Sequence, residues 1–462
     1  MGRGHTGHGR AEEPRKHVRS VCVALAVRWP APGTGQAEIG RFRMTGGSEE
    51  PVAAARAVIT AALAAHAGAQ VLRQMPAGAL DEALSAMAAR LDRRSAEIMD
   101  ANARDVGEAR AGGLAEAVVD RLMLDRERIR GISAQLHELA QVPAEPAQFH
   151  VRDLPGDLEL QERRRPVGVI GANFEARPNV VVDIASQLIK SRNAGVLRTG
   201  STALRSASAL IDQVVGPAMR DSGLDPRAIQ LLRVPSRESA FALVRQPRLI
   251  PLVILRGSGA STRALARDAA LHGVRTLAHA DGGAVIYIDL AADENLALAL
   301  IETSLDRLGV CNRLNLLLVH RERWDSVIPP VTDLAKRLNI SLSLPPHAHA
   351  LGHEWALDAG REATITVAEA ASAQDAAEIA NSETSGLAAS VVTADEEAAN
   401  RFLDGYAGSG AFWNASPRLL DGFKLLAVPE TGISIDVVPG PRGPVTFRDL
   451  HLRQYAVVPR AS

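Results

Sequence analysis

The chain has 462 residues and a mass of 49.0 kDa, which exceeds one ordinary domain and suits two or three. Apolar residues make up 46% and charged residues 23%, which excludes a disordered or fibrous protein, and a net charge of −1 gives no overall basic field for nucleic acid or an anionic membrane. There are only two cysteines, Cys22 and Cys311, and the apolar runs fall well short of the roughly 18 residues of a membrane span. We therefore expect a soluble, cytoplasmic enzyme with several domains.

Residues 1–49 are rich in Gly, Arg and His and show no helical periodicity. A short apolar run at residues 21–27 follows basic residues, as in a secretory signal, but Arg28-Trp29-Pro30 ends it and no clear small-residue cleavage site follows. Met44 offers an alternative start. We expect a disordered extension or an over-long gene start here, rather than a targeting segment.

The next part of the chain has a helical pattern. From Pro51 to about Val142, apolar residues recur at three- and four-residue spacing, which predicts a series of helices. Two prolines, Pro143 and Pro146, interrupt this pattern. Residues 151–165 then alternate between apolar and polar side chains and are predicted to form an exposed hairpin.

Strands and helices alternate in the rest of the chain. The predicted strands are 167–171, 196–198, 229–234, 249–255, 285–288 and 314–319, and the predicted helices are 180–189, 204–215, 261–271 and 296–305. Continuous apolar strands separated by helices are typical of parallel sheets covered on both faces. The pattern predicts an α/β protein with two such domains, divided near residues 279–283. The extended stretch 442–458 is expected to join the hairpin in a small added sheet.

Cys311 is the clearest candidate for chemistry, because it is the only cysteine after residue 49 and lies between a predicted helix and a predicted strand. A thiol at such a position is a nucleophile if nearby N–H groups or cations lower its pKa. The alternative is a small buried apolar residue. The sequence has no Gly-x-Ser-x-Gly or His-Glu-x-x-His motif, and we predict no metal site, including at the loop that carries His347, His349 and His353.

Three motifs lie at ends of predicted elements. Residues 256–259 form a glycine-containing turn after a strand, which either approaches a phosphate or is simply a tight turn. Lys190 ends a helix, where it either holds a ribose or its 2′-phosphate or neutralises the helix C-terminus. Arg177, in the stretch 174–178, either grips a phosphate or carboxylate or forms a surface ion pair.

Together the motifs resemble those of the gamma-glutamyl phosphate reductases, a family within the aldehyde dehydrogenase superfamily. The matching motifs are Phe174-Glu175-Ala176-Arg177-Pro178, Lys190-Ser191-x-Asn193, His279-Ala280-Asp281-Gly282, Val310-Cys311-Asn312 and Asn414-Ala415-Ser416. Agreement extends from about residue 52 to residue 458, and the combination in this order is specific although each motif alone is not.

The resemblance implies an aldehyde dehydrogenase-like α/β fold with two Rossmann-like parallel-sheet domains plus a small β oligomerisation arm. It implies a homo-oligomer and association with the kinase that precedes the enzyme in its pathway. The implied parts are an extension at 1–49, the N-terminal helical part of the cofactor domain at 50–150, a hairpin of the arm at 151–165, a nucleotide-binding domain at 166–280, a catalytic domain at 281–434 and a C-terminal arm at 435–462.

The implied reaction is the NADPH-dependent reduction of L-glutamyl 5-phosphate to L-glutamate 5-semialdehyde and phosphate, the second step of proline biosynthesis. Cys311 would attack the acyl phosphate, and hydride would reduce the thioester. The backbone N–H of Asn312, with a nearby side chain, would stabilise the oxyanion. Hydrolytic aldehyde dehydrogenases have a Glu in Glu-Leu-Gly-Gly to activate water, and this chain has Ala280 at the comparable place.

The resemblance also implies roles for other residues. The implied substrate-binding residues are Arg177, Glu175, His279, Asn414 and Ser416, and the implied cofactor-binding residues are Lys190, Asn193, Arg256, Gly257 and Ser258.

The chain departs from the family pattern at several of these motifs. Arg192 stands where a Gly is usual, Asn315 where a Glu is usual, and residues 383–388 read Glu-Thr-Ser-Gly-Leu-Ala in place of Tyr-Gly-Ser-x-His-Ser. Two alternatives therefore accompany the main hypothesis. One is a paralogous thiol-dependent dehydrogenase of another aldehyde or acyl substrate, and the other is a paralog that keeps the fold without turnover.

Overall fold

The computed structural model describes residues 49–257, 259–279, 282–358, 360–435 and 442–460, and the residue pairs 27–28 and 38–39. Cys22 and nearly all of the extension predicted at 1–49 lie outside the described residues. Within that extension, strands β1 (Val27–Arg28) and β2 (Glu38–Ile39) pair antiparallel.

Five helices follow, as the apolar periodicity predicts. They are α1 (Glu49–Gln74), α2 (Ala77–Arg93), α3 (Ser95–Ala111), α4 (Glu116–Leu122) and α5 (Arg126–Gln141). Pro76 precedes α2 in an extended conformation, and the Asp125 side chain accepts a hydrogen bond from Arg128 N at the start of α5. Asn102 of α3 connects the end of α4 to the rest of the domain, because its side chain bonds to Leu122 O and Leu124 N.

Helix α1 is long and apolar enough to cross a membrane, judged on length and composition alone. The uninterrupted apolar runs in the sequence did not predict a segment of this length and hydropathy. Its buried face includes Val58, Ile59 and Leu72, which belong to the core shared with the first sheet. Gly68 allows a close approach there, since a Cβ at this position would lie 2.3 Å from Ala228 N.

The first large sheet consists of five parallel strands. After the hairpin strands β3 (Gln148–Leu154) and β4 (Leu158–Pro166) come β5 (Val169–Phe174), α6 (Val180–Lys190), β6 (Ala194–Thr199), α7 (Leu204–Leu210), α8 (Gly216–Asp221), β7 (Ile229–Leu232), α9 (Arg237–Leu243), β8 (Leu252–Arg256), α10 (Gly259–Leu271) and β9 (Arg275–His279). The order in the sheet is β7-β6-β5-β8-β9. The chain adds β6 and β7 on one side of β5, and then β8 and β9 on the other side. Folds of this kind bind ligands at the point between β5 and β8 where the strand order reverses.

The second large sheet consists of six parallel strands. Its elements are β10 (Ala284–Ile288), α11 (Glu294–Ser304), β11 (Leu314–His320), α12 (Trp324–Arg337), β12 (Ser341–Ser343), β13 (Thr364–Ala370), α13 (Ala373–Glu383), β14 (Ala388–Val392), α14 (Glu396–Gly405) and β15 (Gly410–Trp413). The order is β12-β13-β11-β10-β14-β15. Both large sheets are fully parallel, and α-helices form the crossovers between their successive strands except between β12 and β13.

The chain then returns to the first sheet. Helix α15 (Gly422–Leu426) is followed by β16 (Gly432–Ser434) and β17 (Gly443–Val445), which pair antiparallel. Ile435 N donates to Ala278 O of β9 (3.0 Å), so β16 packs beside the edge strand of the first sheet. The domain limits given above remain predictions.

The last strand completes a small third sheet. Strand β18 (His451–Pro459) pairs antiparallel with β4, which pairs with β3. Large apolar side chains on β18 are exposed, namely those of Leu452, Tyr455 and Val457. On the hairpin, His150, Asp153 and Glu159 form the one group of described residues whose ligand atoms lie close enough together for a metal ion, and it lies outside the cavities described below.

Candidate active site

Cys311 lies in the loop 305–313, between α11 and β11, where its backbone is fixed against the start of β10. Cys311 O accepts a hydrogen bond from Gly283 N (2.7 Å), and Arg313 O accepts one from Ala284 N (2.8 Å). Gly282 makes this approach possible, since a Cβ there would lie 2.8 Å from Cys311 O. The chain segment that joins the two large sheets therefore determines where the thiol lies.

The thiol lies in a cavity of about 180 Å³, which we call the thiol cavity. The charged and titratable residues of its lining are Arg121, Glu175, Arg177, Arg256, His279, Cys311 and Glu354. Arg177 follows β5 and Arg256 is the last residue of β8, and the strand order of the first sheet reverses between these two strands. Cys311 comes from the second domain, so the cavity lies where the two large sheets meet.

Burial and nearby positive charges have opposite effects on the pKa of Cys311 in the thiol cavity. Burial raises the pKa of the Cys311 thiol, and this outweighs the lowering by Arg177, Arg256 and Arg121. From the sequence, the role of nucleophile was conditional on N–H groups or cations that lower this pKa; cations are present, but burial has the larger effect. Burial, together with the like charge of Arg256, lowers the pKa of Arg177 to about 10, so its guanidinium still carries its charge at neutral pH.

His279 is neutral in this environment. Burial, and then the positive charges of Arg256 and Arg177, lower its pKa well below the ordinary value. Its Nδ1 accepts a hydrogen bond from Ile433 N (3.3 Å), which leaves the proton of the neutral ring on Nε2. The thiol cavity thus contains a neutral imidazole N–H donor and three guanidinium groups.

Arg256 and Gly257 line the thiol cavity. Arg256 donates to Thr431 O (3.0 Å), and a Cβ at Gly257 would lie 3.0 Å from the Glu175 carboxyl group, which accepts a bond from Ser261 Oγ (3.0 Å). The predicted cofactor residues of this turn are therefore close to the thiol. Ser258 lies outside the described residues.

A second, larger cavity of about 670 Å³ adjoins the thiol cavity, and we call it the large cavity. The two share Val118, Glu175 and Ala176 in their linings. The rest of the large cavity follows the ends of β6 and β7 and faces α10; its polar lining includes Arg198, Gly200, Ser201, Thr202, Arg237 and Ser261. The sequence did not predict Arg198 or Arg237 as site residues.

Lys190 and Asn193 do not line any of these cavities. Lys190 Nζ donates to Asp81 Oδ1 (2.6 Å) and to Val142 O (2.6 Å). The Asn193 side chain accepts from Gly168 N (2.8 Å) and donates to Leu450 O (2.8 Å). The reason is the direction of the strands. The end of α6 leads into the amino end of β6, on the side of the sheet opposite to the carboxyl ends of the strands. The structure thus does not bring these two predicted cofactor residues to the site.

Three further predicted site residues are Asn312, Ser416 and Asn414, and their side chains form hydrogen bonds with the protein itself. The Asn312 side chain donates to Leu420 O (3.0 Å) and accepts from Arg418. Ser416 Oγ bonds to Ser304 Oγ (2.8 Å) behind this loop. Asn414 is exposed and bonds to the backbone of Thr393, so the structure brings neither Asn414 nor Ser416 into a cavity lining.

A third cavity, of about 240 Å³, borders Cys311 as well. We call it the arginine cavity, because its lining includes Arg121, Arg177, Arg256, Arg307 and Arg418. Asp421 and Glu430 are its carboxylates, and Asn312 also lines it. The sequence did not assign Arg121, Glu354, Asp421 or Glu430 to the site, since these residues come from distant parts of the chain.

Comparison with known proteins agrees with this architecture. Residues 46–350 match the model of the aldehyde dehydrogenase family. The chain is 34% identical over 402 residues to a gamma-glutamyl phosphate reductase of Chloroflexus aggregans, covering 84% of this chain and 94% of that protein. It is 33% identical over 390 residues to one of Cyanothece sp., covering 82% and 88% respectively. The crystal structure of gamma-glutamyl phosphate reductase from Thermotoga maritima is similar with a TM-score of 0.76 at 26% identity, over 88% of this chain and 98% of that one.

The predicted fold class is confirmed by these matches and by the two parallel sheets. Family members are oxidoreductases that act on small molecules with a nicotinamide cofactor, and they often form oligomers. The chain belongs to the aldehyde dehydrogenase family.

Proposed function

We propose that this protein is an NADP-dependent gamma-glutamyl phosphate reductase, which converts L-glutamyl 5-phosphate to L-glutamate 5-semialdehyde and phosphate in the cytoplasm as a step of proline biosynthesis. The relatives of that name, matched over most of the chain, support this substrate. The observation that carries the proposal is that Cys311 shares one cavity with Arg177 and Arg256. A thiol beside two cations suits an acyl donor whose leaving group is phosphate.

The covalent step forms one bond and breaks another. The sulfur of Cys311 attacks the C5 carbonyl carbon, and the bond from that carbon to the phosphate oxygen breaks. Because the pKa of the resting thiol is raised, Arg177 and Arg256 contribute by stabilising the thiolate and then the departing phosphate. The backbone N–H of Asn312 and the neutral His279 are the donors we assign to the tetrahedral oxyanion.

The large cavity fits a nicotinamide dinucleotide. It lies at the carboxyl ends of the first sheet and reaches the thiol cavity through Glu175, so one end of a bound cofactor comes close to Cys311. When bound, the cofactor supplies the hydride that reduces the thioester. The chain's own contribution is to orient it: Arg198 fixes the adjoining strand ends through hydrogen bonds to Asn173 Oδ1 (3.0 Å) and Pro235 O (2.8 Å).

A preference for NADP has its support in the charges of the large cavity. Enzymes specific for NAD present an acidic residue to the ribose 2′-hydroxyl, whereas a cation accommodates a 2′-phosphate. Arg237 is exposed at this cavity and packs on the Phe241 ring (5.6 Å), while the Glu175 carboxylate is engaged by Ser261. We assign Arg237 to the 2′-phosphate.

The small third sheet is our candidate for self-association. Strand β18 is an edge strand with exposed apolar side chains, among them Tyr455 and Val457. Such edges are commonly covered by another chain. We propose that a second copy of the protein covers this edge in a homo-oligomer.

The deciding experiment is the reverse reaction, the phosphate-dependent reduction of NADP by glutamate 5-semialdehyde, measured for the wild type and Cys311→Ala. We expect activity that requires phosphate and is lost in the variant. Absence of activity in folded wild-type protein with both NADP and NAD would refute the proposal. Activity without phosphate, on other aldehydes, would instead favour a thiol-dependent dehydrogenase with another substrate.

A further inference from the structure

The three cavities form a series with Cys311 between its two ends. The thiol cavity shares Glu175 with the large cavity, and it shares Cys311, Arg177 and Arg256 with the arginine cavity. The linings of the large cavity and the arginine cavity have no described residue in common. If the cofactor occupies the large cavity, the part of the substrate beyond the reacting carbonyl must extend into the arginine cavity.

The arginine cavity is not uniformly cationic. Two of its arginines have carboxylate partners at its rim, because Arg418 Nε donates to Asp306 (2.8 Å) and Arg307 donates to Asp120 (2.8 Å). Inside the cavity are two further carboxylates, those of Asp421 and Glu430, in addition to the arginines. A ligand that fits such a lining carries both negative groups and a positive group.

Local packing fixes the position of the Glu430 carboxylate. Its Oε2 accepts a hydrogen bond from Gly422 N, at the start of α15. A Cβ at position 422 would lie 2.8 Å from Oε2, so Gly422 is needed for the carboxylate to occupy this position. Asp421 immediately precedes Gly422 and caps the same helix, because its side chain accepts hydrogen bonds from Phe423 N and Lys424 N (both 3.1 Å).

Burial without a close cation is unfavourable for a carboxylate. Burial raises the pKa of Glu430 to about 7, and the charge of Arg256 only partly opposes this effect. Among the described residues, Glu430 forms no ion pair. A cation supplied by a ligand would restore the charged form.

We propose that Glu430, with Asp421 beside it, binds the α-ammonium group of the substrate and makes the enzyme selective for an α-amino acid derivative. This inference rests on the proposed function, since it assumes that the acyl group attacked by Cys311 is that of an amino acid. The arginines of the same cavity then face the α-carboxylate and the phosphate.

The test compares two aldehydes that differ only in the amino group, glutamate 5-semialdehyde and 5-oxopentanoate. For Glu430→Gln, we expect kcat/KM for glutamate 5-semialdehyde to fall by about 30-fold or more, since one partner of a buried charge pair is lost. The value for 5-oxopentanoate should change by less than about threefold. Glutamine retains an oxygen that accepts the bond from Gly422 N, which limits structural change.

Asp289→Asn is the matched control, because Asp289 is a buried carboxylate that lines none of the three cavities. This variant should treat both aldehydes alike. Equal losses for both aldehydes in Glu430→Gln, or no loss, would overturn the inference.

A second measurement separates this inference from the proposed reaction. If the wild type oxidises neither aldehyde, the proposed function fails, and alkylation of Cys311 by iodoacetamide is then followed in the presence of L-glutamate or glutarate. Stronger protection by L-glutamate, which disappears in Glu430→Gln, would support the ammonium site. Equal protection by both compounds in the wild type, or none, would refute it.

Discussion

Arg121 of helix α4 donates a hydrogen bond from Nε to Gly309 O (2.8 Å), two residues before the nucleophile. Asp120 accepts a bond from Arg307 of the same loop (2.8 Å). Two adjacent residues of the N-terminal helices therefore support the loop of Cys311 from a distance of almost 190 residues in the chain. Arg121 also contributes a positive charge that lowers the pKa of the thiol.

Arg121→Ala removes both the hydrogen bond and the charge. We expect the pH profile of Cys311 alkylation to shift to higher pH, because a cation that favours the thiolate is gone, and kcat/KM at pH 7 to fall about tenfold. Arg121→Lys, which keeps the charge but loses the planar donor group, is the control and should keep most of the pH profile. An unchanged profile in Arg121→Ala would contradict this role.

Gly282→Ala tests the close contact between the domain connection and the nucleophile. The added Cβ would lie 2.8 Å from Cys311 O and 3.0 Å from Cys311 Cα, so the loop must move. We expect kcat to fall about 100-fold, because small displacements of a nucleophile are costly. Gly78→Ala, at a helix position with no atom within 4 Å of the new Cβ, should leave kcat unchanged. Equal activity of both variants would argue against a rigidly positioned thiol.

Lys190→Met separates a structural role from a cofactor role. The Lys190 side chain is only 2% exposed, and its ammonium group bonds to Asp81 and Val142 O. We expect the free energy of unfolding to fall by about 2 kcal/mol, while the Kd for NADPH stays within about twofold. Denaturant unfolding and fluorescence titration measure the two quantities. A tenfold weaker Kd with unchanged stability would restore the prediction of a cofactor ligand.

Asp183→Asn is expected to stabilise the protein at high pH. Burial raises the pKa of Asp183 to about 7, above its ordinary value near 4, so the folded state binds more protons than the unfolded state between these values. Stability is therefore lost as pH rises through this range, and the loss reaches about 4 kcal/mol above pH 8. Urea unfolding at pH 5 and pH 8.5 should show that the stability of the variant relative to the wild type increases from the lower pH to the higher.

The control for Asp183 is the exposed Asp212, which pairs with Arg233 at the surface. Asp212→Asn should have the same pH dependence as the wild type. If Asp183→Asn keeps the wild-type pH dependence as well, the buried carboxyl group is not its source.

Arg237→Gln tests the proposed contact with the 2′-phosphate. We expect the KM for NADP to rise about 10- to 100-fold, the worth of a charge-assisted hydrogen bond, with little change in the KM for NAD. Arg245 is a matched control, because it also packs on Phe241 (5.3 Å) but pairs with Asp268 and does not line the large cavity. Similar increases in KM for both cofactors, or in both variants, would contradict the assignment.

Much of the architecture could be predicted because it is encoded locally. Apolar runs such as those of β5 and β11 are buried throughout, and each is followed by a helix, so the alternation was visible in the sequence. Cys311 and Arg177 were found because they follow or precede such elements, where sheets of this kind bind ligands.

The remaining site residues depend on contacts over long distances in the chain. Arg121 reaches the thiol from the N-terminal helices, and Glu430 reaches it from beyond the second sheet, so neither is recognisable from spacing. Lys190 was assigned to the cofactor because it ends a predicted helix and belongs to one of the motifs that resemble the family. The direction of β6 shows that Lys190 lies at the amino ends of the strands, opposite to the site.

The nucleophile and its neighbouring cations come from different domains. Cys311 precedes β11 in the second sheet, whereas Arg177 follows β5 and Arg256 ends β8 in the first. Any rotation of one domain relative to the other changes the separation between sulfur and guanidinium, and with it the acidity of the thiol. The rate at which Cys311 reacts with a small electrophile therefore reports the relative position of the two domains, without an added label.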